Sequence, residues 1–101
     1  MKTLREFSEI VLHLRSFINE HACASHQWYV GLASDAEEKL FQHHKVNRQA
    51  NSWIYRMADS PEAARSVHEN FLRLGCDGEQ YPNELNATDV YIYLKSHKTK
   101  P

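Results

Sequence analysis

The sequence predicts a small α/β (α+β) domain, a three-stranded and mostly antiparallel sheet flanked by helices, with elements in the order αβαβαβ. Three observations predict it. Stretches with apolar residues at helical spacing alternate with short runs rich in strand formers. Asp, Ser, Pro and Gly stand where helix starts and stops need them. The 101 residues suit one domain, 1–101, and are too few for two.

The first helix is predicted over 3–20. Leu4, Phe7, Val11, Leu14 and Ile18 recur at steps of three and four, and Ile10 and Phe17 widen the stripe. Thr3, with Glu6 three residues on, has the form of a capping box. Such a stripe packs on the chain's own sheet, and its narrow seam also suits a homodimer through helix 3–20. A strand follows over 27–33. Gly31 inside it marks a bulge or a close approach by another backbone. Ser34 or Asp35 caps the next helix, 35–45, whose first turn carries Asp35, Glu37 and Glu38 against the positive end of the helix dipole.

The second strand is read over 52–58. Asp59-Ser60-Pro61-Glu62 then supplies a cap residue, a Pro at the first helical position and an acid. The helix over 61–74 buries Ala64, Val67, Phe71 and Leu74, and Gly75 ends it. Residues 76–87, with Gly78 and Pro82, form an irregular loop. The last strand covers 88–94, and a basic tail follows.

Composition bounds the function. Hydrophobic residues at 42% and charged residues at 25% match ordinary globular usage, so a packed core is expected. A formal charge of −1 argues against a generic polyanion binder, whose affinity comes from neutralised phosphates, but allows a local basic face. Two distant cysteines, Cys23 and Cys76, make no disulfide framework. Charged residues run through the first segment, and no apolar run approaches a membrane span. A cytoplasmic location without a membrane partner is the expectation.

Trp28 to His43 carries a strand ending Tyr29-Val30-Gly31, a short capped turn, and a helix with Lys39 and His43 four residues apart. This segment resembles the second half of the GIY-YIG nuclease motif. Trp53-Ile54-Tyr55 is similar to that family's next strand. Ala64-Arg65-Ser66-Val67-His68 is similar to its following helix, with His68 where a metal-binding Glu belongs. The resemblance spans 28–75. It implies a tyrosine for proton transfer, a cation to steady phosphate charge and a divalent metal ion, Mg²⁺ or Mn²⁺, if the site is active.

The catalytic candidates are therefore Tyr29, Lys39, His43, His68 and Tyr91, and the metal candidates His68 and Glu69. Tyr91 enters because no strand precedes the Tyr29 strand; the last strand could lie beside it as a permuted replacement. Three departures from the family pattern stand: the missing first strand, Lys39 in place of Arg, and His68 in place of Glu. Lysine loses the bidentate fork of arginine. Imidazole suits Zn²⁺ or a softer ion better than Mg²⁺. A helical neighbour points about 100° away, so Glu69 reaches the metal only with a register shift.

Lys39, Lys45, Arg48, Arg56 and Arg65, with Trp28, Trp53 and Tyr55 nearby in sequence, are the nucleic-acid candidates, since cations among aromatics suit single strands. Asp77, Glu79 and Glu84 would repel phosphate if their loop lies beside the site. Three functions are expected to compete. The first is a catalytically degenerate GIY-YIG-like protein that binds nucleic acid or a nucleoprotein. The second is a divergent metal-dependent endonuclease. The third is a small protein-binding inhibitor module from a phage or other mobile element.

Overall fold

The computed structural model describes residues 4–21, 24–80 and 86–101. Thr3, Cys23, Pro82 and Glu84, named above, lie outside the described residues. Among these residues four strands form one sheet in the order β1-β3-β4-β2. They are β1 (Leu4–Arg5), β2 (Trp28–Ala33), β3 (Trp53–Ala58) and β4 (Asp89–Leu94). The three long strands are antiparallel, and β4 pairs along its length with both β2 and β3. The fold is a small α+β fold.

β4 is central because both of its faces are apolar. Val90 and Ile92 enter one core, and Tyr91 and Tyr93 enter the other. On the first face lie α1 (Phe7–Glu20) and α3 (Pro61–Leu74), packed over Trp28, Val30, Val90 and Ile92. On the second lies α2 (Ala36–Glu38), which runs into a π turn over Lys39–His43. Leu40 from that turn, with Ala36 and Val46, covers Tyr29, Tyr91 and Tyr93.

Several boundaries differ from the sequence reading for local reasons. The first helix starts at Phe7, because Glu6 is extended (φ −81°, ψ 166°) and Leu4–Arg5 pair in parallel with Met57 and Ala58. Arg5 also accepts the Asp59 N–H at 2.8 Å. Edge pairing thus satisfies backbone groups that a longer helix would have used. Ile10, Leu14 and Ile18 are buried against the chain's own sheet, whereas Leu12 is 64% exposed. The middle and end of the apolar stripe are core, and Phe7 at its start is exposed. The helix predicted over 35–45 stops at His43, and Lys45 turns left-handed (φ 59°). Leu74, expected in the core, is half exposed, since it sits in the last turn of α3 beside Gly75.

The ends of α3 follow capping chemistry. Ser60 accepts the Ala63 N–H at 3.1 Å, and Pro61 stands in the first turn. Gly75 (φ 113°) closes a Schellman motif, with the Cys76 N–H on the Phe71 carbonyl at 3.0 Å. Past this cap the chain runs along the open edge of β2. The Asp77 N–H meets the Trp28 carbonyl and the Val30 N–H meets the Asp77 carbonyl, both at 2.8 Å. Gly78 is required there, because a Cβ would sit 2.4 Å from the Val30 carbonyl oxygen. Past the two-residue β1, Arg56 donates to the Tyr55 carbonyl at 2.8 Å, a charge on the stretch of β3 that β1 leaves uncovered.

Cys76 is buried and free, and burial pushes its thiol up to about 11, with Lys95 pulling weakly the other way. Thiolate is the reactive form. In a Cys23→Ser background a thiol probe is therefore expected to label Cys76 only at the rate of unfolding. Rapid labelling of the folded chain at neutral pH would contradict this burial.

Candidate functional site

A cavity of about 700 Å³ opens beside the second half of β2. Four elements bring the catalytic candidates to it: Tyr29 from β2, Lys39 and His43 from the π turn, His68 from α3 and Tyr91 from β4. Asp77, Gly78 and Glu79 form one wall, and Lys100 and Pro101 another. The outward edge of β2 faces the same space. Trp28 and Val30 direct their backbone groups outward to Asp77, and alternation along the strand directs the Leu32 N–H outward as well.

Gly31 lets the site close. It lies opposite Tyr91 in the antiparallel register, and the tyrosine ring lies across it. A Cβ at Gly31 would fall 2.2 Å from Tyr91 Cζ. The close approach is made by a side chain, not by backbone as the sequence suggested, and the pairing runs through Gly31 without a bulge.

The Tyr91 hydroxyl lies 2.6 Å from His44 Nε2. His44 Nδ1 lies 2.7 Å from the Lys100 carbonyl oxygen. A carbonyl only accepts, so Nδ1 carries the proton of the neutral ring. Nε2 is then the acceptor, and the Tyr91 hydroxyl donates to it. Burial lowers the His44 pKa, and Lys39 and His43 lower it further, against the Lys100 carbonyl and Glu79. The ring is neutral at pH 7. Tyr29 packs on His44 at 4.7 Å and stacks on Tyr93 at 5.3 Å. Burial, then Glu79 and Asp77, push the Tyr29 hydroxyl up to about 12, so it stays a phenol.

His44, not His43, is the histidine seated at the sheet. The π turn is the cause. Its hydrogen bond runs from the His44 N–H to the Lys39 carbonyl at 2.9 Å, five residues back, where an α-helix would bond four back. One extra residue in the turn rotates the following side chains. His44 is driven under Lys39 onto Tyr29, and His43 stays at the exposed rim, 3.5 Å from Glu38. Lys39 is half-buried at the cavity and forms no ion pair among the described residues.

His68 is 2% exposed, is hydrogen-bonded to the Val30 backbone, and has Nε2 buried with no partner among the described residues. Burial lowers its pKa, while Val30, Glu79 and Glu69 work the other way. The metal candidate Glu69 is misplaced. It is exposed and bonded to Arg73 at 3.3 Å, one helical step around from His68. Glu79 is a carboxylate at the cavity that acts on both Tyr29 and His68. Asp77 is held by Lys95 at 3.2 Å. The acidic loop thus lies beside the site at these two residues.

The five nucleic-acid candidates are not brought together. Lys39 lines the cavity. Lys45 is exposed beyond the π turn. Arg48 stacks on Phe41 at 3.9 Å and pairs with Glu37 at 3.0 Å. Arg56 lies on the α1 face, bonded to His13 at 3.2 Å. Arg65 sits on α3, 3.8 Å from Glu62. Trp28 is fully buried against Phe17 and His21 and is not an available stacking ring, whereas Trp53 and Tyr55 are half-buried.

Among the described residues no three His, Cys, Asp or Glu side chains gather as metal ligands. A Mg²⁺ site needs several hard oxygens, and these residues do not fit one. His68 Nε2 with Glu79 offers one nitrogen and one carboxylate, donors that Mn²⁺ or Zn²⁺ accepts. No helix among the described residues is long and apolar enough to cross a membrane. Comparison with protein-family models, with curated proteins and with solved structures gives no match to this chain.

Proposed function

We propose that the cavity takes a phosphodiester of a nucleic acid, and that the chain is a nucleic-acid-binding protein on a permuted GIY-YIG-like sheet with a reduced catalytic set. One observation carries this reading. Tyr29, Lys39, His43, His68 and Tyr91, drawn from four separate elements, line a single cavity. The antiparallel pairing of β4 with β2 supports the permuted order, because it sets Tyr91 beside Tyr29-Val30-Gly31.

The roles follow from the chemistry of the groups. Lys39 supplies a charge for a phosphate oxygen, and the Leu32 N–H and the Tyr29 hydroxyl supply neutral donors. Asp77 and Glu79 oppose the phosphate, so affinity is modest and sensitive to salt. Titration of short labelled single- and double-stranded DNA and RNA tests the reading. Affinity is expected to fall as salt rises. Lys39→Ala is expected to weaken binding evenly across sequences and to reduce the salt slope by about one. No binding at low salt, together with a stoichiometric protein partner, would instead favour the inhibitor reading.

A second reading, a divergent endonuclease, is favoured by one specific contact: the Tyr91 hydroxyl already donates to a neutral imidazole that can take its proton. That reading expects cleavage with Mn²⁺ or Zn²⁺ in place of Mg²⁺, removed by Tyr91→Phe. Binding without cleavage under every ion leaves the first reading alone.

A further inference from the structure

We infer that the tail, residues 96–101, is a positioning element of the cavity, and that the Lys100 backbone sets which way the Tyr91 hydroxyl points. The consequence for substrate rests on the phosphodiester reading, but the proton placement is a property of the fold. Two bonds join the tail to the π turn. The Lys100 N–H donates to the His44 carbonyl at 2.7 Å, and His44 Nδ1–H donates to the Lys100 carbonyl at 2.7 Å. The tail is itself stapled. Thr99 is buried, and its hydroxyl accepts the Ser96 N–H and donates to the Ser96 carbonyl, both at 2.9 Å.

The polarity of the site follows from this tie. With the proton on Nδ1, Nε2 must accept from Tyr91, whose oxygen then shows only lone pairs to the cavity. With the proton on Nε2, the ring would donate to Tyr91, whose O–H would turn outward as a donor. One backbone carbonyl therefore decides whether Tyr91 meets a ligand as an acceptor or as a donor. Tyr93 offers the same Nδ1–H a second oxygen at 3.1 Å, a longer contact than the tail's. No functional side chain of Lys100 is needed for this role. It was invisible in the sequence, where the tail read only as basic.

Long-range ¹H–¹⁵N spectra of the full chain, labelled in histidine nitrogens, test the inference directly. His44 is expected as the Nδ1–H tautomer, unchanged in Lys100→Ala and in Tyr93→Phe. A chain lacking residues 99–101 is expected to shift the Nε2 signal toward the protonated range while core amide signals persist. If that chain fails to fold, a shorter deletion lacking only residues 100–101 removes the same carbonyl and is expected to give the same shift. An Nε2–H tautomer in the parent chain overturns the inference. So does an unmoved Nδ1–H tautomer in a folded tail variant. Loss of nucleic-acid binding alone would leave the tautomer result standing and would count against the functional proposal instead.

Discussion

Gly31→Ala is expected to cost about 2–6 kcal/mol of stability and to empty the site of its Tyr91 hydroxyl. The new Cβ would lie 2.2 Å from Tyr91 Cζ and 2.3 Å from its oxygen, far inside contact distance. A ring tip often moves cheaply, but this one is 3% exposed and is anchored to His44 at 2.6 Å. Two costs therefore add. Overpacking a buried position costs about 1–3 kcal/mol. Leaving the buried His44 Nε2 without its donor costs about 1–3 kcal/mol more. Chemical denaturation gives the first quantity, and the His44 ring signals report the second. Tyr91→Phe in the parent chain breaks the hydrogen bond without the clash, so it should show only the smaller loss. The double variant Gly31→Ala with Tyr91→Ala removes the ring that the Cβ meets. It should then lose less than the two single losses added. Additive losses would place the strain of Gly31→Ala somewhere other than Tyr91.

What the chain announces in sequence and what it conceals divide along range. Ser60-Pro61 and Gly75 act within a few residues, so α3 was legible to its ends. The apolar runs of β2, β3 and β4 were legible for the same reason, and the adjacency of β2 and β4 followed from asking where an unpaired Tyr29 strand finds a neighbour. That His44 is the one seated at the sheet was not legible, because the reading assumed α-helical register. Lys39 to His43 is one α turn, but packing of Leu40 against the aromatics of the sheet comes with a π turn, and nothing in Lys-Leu-Phe-Gln-His announces it. Glu79 was read only as a charge to be avoided, since its contact with the site depends on Asp77 pairing along β2. Lys100 lies 56 positions from His44, beyond any periodic signal.

Acid is expected to destabilise this fold well before its carboxylates titrate. His44 and His68 are 8% and 2% exposed, and burial lowers both pKa values below the ordinary 6.5. The unfolded chain then binds more protons than the folded chain between the folded pKa values and 6.5. Stability therefore rises with pH across that window. Both contributions are complete above about pH 6.5 and are lost progressively as pH falls below it. Each imidazole contributes at most about 1.4 kcal/mol per pH unit while it stays neutral in the fold. Glu79 acts on both rings and Glu69 weakly on His68, while Lys39 and His43 act on His44, so the two need not titrate together. Urea midpoints between about pH 7 and pH 5, above the usual carboxylate range, isolate the effect. His68→Gln and His44→Gln should each flatten part of the slope, even where they lower stability at pH 7. His68 carries the sharper test, because its buried Nε2 has no partner among the described residues to accept a new proton's hydrogen bond. A slope unchanged by His68→Gln would mean that the folded chain protonates this ring as easily as the unfolded one does. The His68 wall of the cavity would then have to be open to water.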